Sequence, residues 1–309
     1  MSTTATPGCF AMPMTWVHAM LWVCVTSSKQ ARLYGIKSCM EQESRCLPAA
    51  FLSALNPIKN VNGSTAMTRY VMLNNLDHIG IKVNEHFMPE QGDNKAAVLT
   101  FPTEFSNVQK EYPILLSRDP ATGNFQAVAL LGLQKDENLF LEPIPETDHC
   151  SWSGQYIPAV LAKGPFITGI QEDMDGRQEA MVYIDLDSPK LGEGSGKSLF
   201  LAHGGNSPYL DYVTRLLSII QQGKAVGDAM FAALAKLDLI EPITINIDLA
   251  NGSKIKLSGY YTISEEKLSQ LTGEVLEQLN KQGYLQGVFL IINSLSNIEK
   301  LIKLKNARL

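Results

Sequence analysis

The sequence predicts an α+β fold in which a strand-rich N-terminal half precedes C-terminal helices and one β-hairpin, within a single soluble domain. Short runs of alternating apolar residues, separated by Pro, Gly, Asn and Asp, occur between residues 75 and 186. Longer runs with helical spacing lie at 208–237, 264–282 and 286–305. Because strands and helices are segregated along the chain, we do not expect a repeating βαβ architecture.

Each predicted strand is a short run of apolar and β-branched residues bounded by turn-forming residues. We predict strands over residues 75–83, 96–101, 114–116, 125–133, 138–142, 166–170, 179–186, 243–249 and 254–261. The turn sequence at 119–124 joins two of them into a hairpin. Asn251-Gly252 predicts a second hairpin with a two-residue type I′ turn, in which both residues have positive φ.

The predicted helices are recognised by their starts and stops. Short helices are expected over 103–111, with Thr103 as a capping residue, and over 156–163. Ser207 is placed to cap the first long helix, and the following proline suits its first turn. Gly223 and Gly227 are expected to break or bend that helix into two.

The first 66 residues differ from the rest of the chain. They hold four of the five cysteines and a net charge of +3, whereas residues 67–309 carry a net charge of −8. One folded domain rarely changes composition so sharply. We therefore divide the chain into a leader, residues 1–66, and a domain, residues 67–309.

Three interpretations of residues 1–66 are open. An apolar stretch from Ala11 to Val25 is interrupted by Pro13, and no Lys or Arg precedes it, which disfavours a secretory signal or a membrane span. A disulfide-stapled unit is a second interpretation, although the cysteine spacings match no zinc or knottin pattern. The pattern favours a third: a disordered leader or an over-extended start, with the natural start at Met67 or Met72. Without a convincing signal peptide, we expect a cytoplasmic protein.

Composition and motifs argue against several classes of function. A net charge of −5 gives no bulk attraction to nucleic acid. The segment Gly192–Ser198 is one residue short of a phosphate-binding loop and leads into another loop, so we expect a flexible surface loop. Asp173–Gly176 begins like a calcium loop but lacks its later ligands, which favours a hairpin turn. The histidines lack metal-ligand spacing, and we expect no metal and no cofactor.

Two groups of residues are candidates for a functional site. Glu104, Asp185 and Asp187 are carboxylates, and the two aspartates share a strand face, so paired-carboxylate chemistry could arise there. The alternative is a solvated strand end. A second group is aromatic and proline-rich and could line a ligand or peptide groove, or could form core and a rigid turn. Its members are Trp152, Tyr156, Pro158, Phe166 and Tyr209.

Many short motifs occur together in one order. They are FPTEF (101–105), YPI (112–114), DPATG (119–123), VALLGL (128–133), ENLF (137–140), YIPA (156–159), PF (165–166), DLDSP (185–189), PYL (208–210), EEKL (265–268) and LSNI (295–298). This set resembles the bacterial SapC family over about residues 72–304. Residues 1–66 lie outside the resemblance.

The resemblance implies little biochemistry. It suggests a link to the surface layer, the cell envelope or nutrient uptake, with envelope or uptake proteins as partners and, by the family name, the cell surface as an alternative location. It supplies no catalytic residues. We expect a non-catalytic binding or accessory protein without a membrane span. The alternative is an enzyme with an unrecognised carboxylate site acting on a peptide-like or other small substrate.

Overall fold

The computed structural model describes residues 69–172 and 178–309. Residues 1–66, expected to be a leader, and the turn expected at 173–176 lie outside them. The strands are β1 (Tyr70–Met72), β2 (Lys82–Val83), β3 (Ala97–Thr100), β4 (Ile114–Arg118), β5 (Phe125–Leu130), β6 (Leu141–Pro143), β7 (Cys150–Trp152), β8 (Phe166–Glu172), β9 (Gln178–Asp185), β10 (Leu191–Gly192), β11 (Lys197–Ser198), β12 (Ile240–Asp248) and β13 (Lys254–Ile263).

The helices concentrate in the C-terminal part of the chain. They are α1 (Phe105–Val108), α2 (Ala159–Ala162), α3 (Pro208–Lys236), α4 (Glu265–Ser269), α5 (Gly273–Lys281), α6 (Tyr284–Ser294) and α7 (Ile298–Asn306), with 3₁₀ turns at Pro89–Gln91 and Leu295–Asn297. The α+β class is therefore confirmed. None of these helices is long and apolar enough to cross a membrane.

A five-stranded antiparallel sheet forms the centre of the fold. Its strand order is β12-β13-β4-β5-β3. The three apolar residues that begin β4 are all fully buried, as expected for a central strand covered on both faces. Helix α1, the end of α3 and helices α5 to α7 contribute apolar side chains to the same core. This core positions the segments that form the candidate site.

A smaller sheet, with strand order β1-β9-β8, has its own hydrophobic core. Its inner face supplies Phe166 and Ile184, which pack with Leu210, Val213 and Leu217 from the first half of α3. Ser207 caps this helix as predicted, because its side chain accepts a hydrogen bond from the N–H of Leu210. One long helix therefore contributes to both cores.

Helix α3 is continuous, so the predicted break at Gly223 and Gly227 is wrong. A Cβ at Gly223 would lie 2.4 Å from the side chains of Phe101 and Thr103, and one at Gly227 would lie 3.4 Å from Pro102. The glycines therefore allow the 101–103 segment to approach the helix closely, and tertiary packing outweighs their low helix propensity.

Two predicted C-terminal helices are each divided. The first separates into α4 and α5 around Thr272, which is the N-cap of α5. The second is divided by a 3₁₀ turn after Ser294. The Oγ of Ser294 accepts a hydrogen bond from the N–H of Ile114 in β4 at 2.8 Å and donates one to the carbonyl of Ile291 at 2.6 Å. A side chain that bonds to the backbone in this way competes with helix continuation.

The hairpin at Asn251-Gly252 is present, but its turn differs from the predicted one. The N–H of Leu249 bonds to the carbonyl of Ser253, and the N–H of Gly252 bonds back to Leu249, which leaves a three-residue loop. Gly252 has φ +82°, whereas Asn251 has no positive φ. A type I turn followed by a left-handed glycine fits this pattern, so the two-residue type I′ prediction was wrong.

Two other expectations are corrected in the N-terminal half. Of the strand predicted over 75–83, only Lys82–Val83 is strand, and the preceding residues form turns. The glycine-rich segment forms β10 and β11, which pair on either side of β2. Helix α3 begins ten residues after this segment, at Pro208, so the segment does not lead directly into a helix N-terminus as a phosphate-binding loop does.

Candidate functional site

A buried carboxylate connects α1 to α2. Glu104 directly precedes α1 and is 1% exposed. Its Oε1 accepts from the hydroxyl of Thr100 at 3.0 Å, and its Oε2 accepts from the hydroxyl of Tyr156 at 2.8 Å and from the N–H of Ala159 at 2.9 Å. Three donors satisfy a group that would be costly to bury alone. Glu104 therefore holds the start of α2 in place.

The predicted cap of the first helix has another role. The hydroxyl of Thr103 donates to the carbonyl of Ile219 in α3 at 2.9 Å, and the residue that precedes α1 is Glu104. The prediction that Thr103 caps this helix was therefore wrong. The hydroxyl instead ties the loop before α1 to the long helix, at the close approach that Gly223 permits.

A second carboxylate, Glu111, follows α1 and binds the loop of residues 153–158 that joins β7 to α2. Glu111 Oε1 accepts from the N–H groups of Gln155 and Tyr156, both at 3.0 Å, and its Oε2 lies 3.3 Å from Nζ of Lys300. The Glu111 side chain is 13% exposed, whereas that of Lys300 is 41% exposed. Lys300 Nζ also lies 5.2 Å from the centroid of the Phe140 ring. Glu111 thus orders the loop and places a lysine beside it.

Aromatic side chains also contact the loop of residues 153–158. The hydroxyl of Tyr112 donates to the carbonyl of Tyr156 and accepts from Nε1 of Trp152 at 3.0 Å. The Trp152 ring stacks on Phe140, with centroids 5.7 Å apart. A Cβ at Gly154 would lie 2.5 Å from the Tyr112 hydroxyl, so the loop passes where a side chain would not fit.

Buried Tyr112 and half-buried Tyr156 both act as hydrogen-bond donors at neutral pH. Burial raises the pKa of Tyr112 well above the ordinary value of 10.0. Burial, together with the nearby Glu104 carboxylate, likewise raises the pKa of Tyr156. Neither hydroxyl is therefore suited to act as a base, and both are suited to fixing the loop.

A polar cleft of about 450 Å³ opens beside this ordered loop. We call it the lysine cleft, and it is lined by Asn107, Lys110, Glu111, Gln155, Tyr156 and Lys300. Lys110 Nζ donates to Oδ1 of Asn107 at 3.3 Å and pairs with no carboxylate among the residues that the structure describes. Because two lysines and one carboxylate line the cleft, its lining has a net positive charge.

A second, smaller cleft of about 70 Å³ lies between β2, α2 and α3. Tyr209 and Tyr212 line it together with Glu85 and Lys190. Burial, followed by the charge of Glu85, raises the pKa of Tyr209. Its apolar lining includes Phe87, whose ring centroid lies 4.9 Å from Nζ of Lys190. Tyr209 therefore belongs to a different surface from Tyr156.

The two candidate aspartates lie at the end of β9. The N–H of Asp187 donates to Oδ1 of Asp185 at 3.1 Å, and the N–H of Arg69 donates to Oδ2 of Asp187 at 3.1 Å. Asp185 is half-buried and Asp187 is exposed. Within residues 69–172 and 178–309, neither hydrogen-bonds to Glu104, and no three His, Cys, Asp or Glu side chains are arranged to hold a metal ion.

A lysine with an unusual environment lies near this strand end. Lys163 Nζ donates to the carbonyl of Phe166 at 2.8 Å and to that of Gly164 at 3.4 Å. Burial, followed by repulsion from Lys95 and Lys190, lowers the pKa of Lys163 to about 8, although Asp185 acts in the opposite direction. The half-buried ammonium is therefore held by carbonyls rather than by a carboxylate.

The structure separates the residues that the sequence proposed. Glu104, Trp152 and Tyr156 belong to one hydrogen-bonded network, and buried Pro158 directly precedes α2 beside it. Phe166 is fully buried in the core of the smaller sheet. Of the proposed aromatic group, Tyr156 alone lines the lysine cleft.

Sequence reasoning missed Glu111 and both lysines of the cleft. A signal existed for Glu111, because it lies beside the Tyr112-Pro113-Ile114 motif and follows α1 closely. No signal existed for Lys300, which lies 189 residues from its partner and, in the helix predicted over 286–305, resembles the other basic residues near its C-terminal end.

The comparisons with known proteins give one match. The SapC family profile matches residues 73–301, close to the range of the resemblance in the sequence motifs. Searches of curated proteins and of solved structures found no significant match. Because the profile match covers most of the chain, the chain belongs to the SapC family.

Proposed function

We propose that this chain is a non-catalytic accessory protein that binds a carboxylate-bearing, peptide-like ligand in the lysine cleft. The proposal rests on the position of two lysines beside an ordered wall of the cleft, which the loop containing Gln155 and Tyr156 forms. Glu111 fixes the backbone of Gln155 and Tyr156, while Lys110 and Lys300 supply positive charge beside that wall. Preorganised polar groups reduce the entropy that binding costs.

The charges favour an anionic ligand. Lys110 pairs with no carboxylate in the described part of the chain, and Lys300 shares a 13% exposed Glu111 with two backbone donors. A ligand carboxylate placed between the two ammonium groups therefore gains ion pairs without displacing the Glu111 bonds. The Tyr156 ring and the Gln155 side chain supply apolar and amide contacts for a peptide backbone.

A carboxylate-based enzyme is the alternative proposal, and the geometry supports it less. Glu104 is buried and accepts three hydrogen bonds, so it has no free face for a substrate. Asp185 and Asp187 lie at the end of β9 in the smaller sheet, and each accepts a hydrogen bond from a backbone N–H group. A general base needs hydrogen-bond reach to its substrate, and Glu104 offers none.

The family resemblance extends the proposal to partners. We infer that the ligand is an exposed chain end of a cell-envelope or uptake component, in line with the surface-layer association that the family name implies. We propose that the chain meets it in the cytoplasm, with the cell surface as the alternative, and fractionation of native cells probed with an antibody tests which is right.

The binding proposal is tested by isothermal titration with two probes. These are acetyl-trialanine with a free carboxylate and the same peptide as a C-terminal amide. We expect the free acid to bind and the amide to bind at least about tenfold more weakly, because one charge-assisted contact is lost. Equal binding of both peptides, or binding of neither at millimolar concentration, would contradict the proposal.

A matched pair of variants localises the site. Lys110→Gln removes the unpaired charge of the cleft, and Lys135→Gln removes a charge that is 82% exposed, lies near Asp136 and is outside the cleft lining. We expect the first to weaken binding of the free acid at least about tenfold and the second to leave it unchanged. Similar losses in both variants would indicate bulk charge rather than this cleft.

A further inference from the structure

The smaller sheet has an outer face that is apolar at its centre. Strand alternation places Val71, Val182 and Ile184 toward the core and the intervening residues on the opposite side. The apolar residues of this outer sheet face are Tyr70, Met72, Ile167, Met181 and Tyr183. Among the described residues, none of the five packs against either hydrophobic core.

The outer sheet face is partly open along its edge strand β1. Tyr70 is 41% exposed and Met72 is 39% exposed. A Cβ at Gly169 would lie 2.5 Å from Cε2 of Tyr183, so the Tyr183 ring occupies the space that a side chain at this position would need. Aromatic and methionine side chains are enriched at protein interfaces, because they offer large, adaptable contact areas.

Carboxylates flank both ends of this apolar centre. Asp185 pairs across the sheet with Tyr70, and Glu179 lies at the other end of β9 on the same face. Asp187, which is exposed, lies two residues after Asp185. The three carboxylates outnumber the two basic residues beside them, Lys163 and Arg69, so the flank has a net negative charge, which opposes an anionic lipid surface and complements a basic partner.

We propose that the outer sheet face binds an extended basic segment of a partner protein, in which lysine or arginine alternates with aliphatic residues. Aliphatic side chains of that segment contact the methionines, and its cations contact the tyrosine rings and the flanking carboxylates. This surface is distinct from the lysine cleft and does not depend on the function proposed for it.

The test uses the full chain and two labelled octapeptide amides, basic (Lys-Val)₄ and uncharged (Gln-Val)₄, followed by fluorescence anisotropy at low ionic strength; neither peptide carries a carboxylate that the lysine cleft could bind. We expect the basic peptide to bind and the uncharged one not to bind. Met72→Ser and Asp185→Asn should each weaken binding of the basic peptide at least about fivefold. Leu76→Ser, at a position that is 85% exposed and outside this face, should leave it unchanged.

Three outcomes would overturn the proposal. The first is equal binding of both peptides, or of neither. The second is wild-type affinity in Met72→Ser and Asp185→Asn. The third is self-association, detected by sedimentation, that Met72→Ser abolishes, because it would show that a second copy of this chain occupies the face. Lys110→Gln should leave peptide affinity unchanged, which separates this surface from the lysine cleft.

Discussion

The hydroxyl of Tyr156 donates a hydrogen bond to the buried carboxylate of Glu104 across 2.8 Å, joining residues 52 positions apart in the chain. This contact explains how one loop can be both well ordered and part of a cleft. The hydroxyl of Tyr156 bonds to a buried carboxylate, while the same residue lines the lysine cleft. Loss of the contact should therefore affect stability and binding together.

Tyr156→Phe removes one hydrogen bond to a charged, buried acceptor. We expect the free energy of unfolding in urea to fall by about 1.5–3 kcal/mol, because Glu104 keeps its charge but loses a donor. Tyr260→Phe is the control, since that tyrosine is also half-buried but its hydroxyl has no hydrogen-bond partner among the described residues. A similar, small loss in both variants would show that the Glu104 contact contributes little.

Alanine substitutions of Glu111 and Lys300 should have different effects on stability, although the two residues form an ion pair. Glu111→Ala leaves the N–H groups of Gln155 and Tyr156 without their acceptor, so we expect a loss of about 1–3 kcal/mol. Lys300→Ala removes a 41% exposed cation and should cost less than about 1 kcal/mol, while still weakening the free-acid peptide. Equal stability losses, measured by urea unfolding, would mean that the ion pair rather than the loop matters.

Lys163 should titrate near pH 8 rather than near 10.5. Because the folded pKa is lowered, the unfolded chain binds one more proton between pH 8 and 10.5, so stability relative to Lys163→Met should rise with pH in that window. Below pH 8 the difference should be constant. An NMR titration of the lysine side chains checks the midpoint directly.

Asp185 offers a control for that titration. Its carboxylate favours the charged form of Lys163, so Asp185→Asn should move the midpoint lower, whereas removing the charge of Lys190 should move it higher. Midpoints that stay near 10.5 in all three proteins would show that the ammonium group is solvated rather than buried.

Gly252→Val should destabilise the β12–β13 hairpin. The glycine has φ +82°, where a β-branched side chain is strained, so we expect a loss of about 1–2 kcal/mol in urea unfolding. Gly273→Ala is the control, because that glycine lies at the start of α5 without a positive φ and has open space around it. We expect this second change to be neutral or stabilising.

Local patterns predicted most of the elements. Alternation and turn chemistry located β4, β5 and the last hairpin, and Ser207 with Pro208 located the start of α3. The errors arose where distant contacts decide. Gly223 looks like a helix breaker until Phe101 is seen against it, and Ser294 interrupts a helix because of a strand 180 residues away.

The candidate site was only partly predictable, because contacts between residues that are distant in the sequence form it. Tyr156 and Glu104 were each singled out, but as members of different groups, because nothing in the sequence shows that they are bonded. Asp185 is the last residue of β9 and Asp187 follows it, so the two do not share a strand face as expected, and neither bonds to Glu104. Convergence of side chains depends on tertiary packing, which periodicity does not report.

The most direct test of the proposed binding function is a ¹H–¹⁵N NMR titration of the protein with acetyl-trialanine. We expect chemical-shift changes that saturate and that concentrate at residues 107–111, 155–156 and 300, with no such changes for the C-terminal amide. Shifts confined to the outer sheet face, or shifts of the same size with both peptides, would contradict a carboxylate site in the lysine cleft.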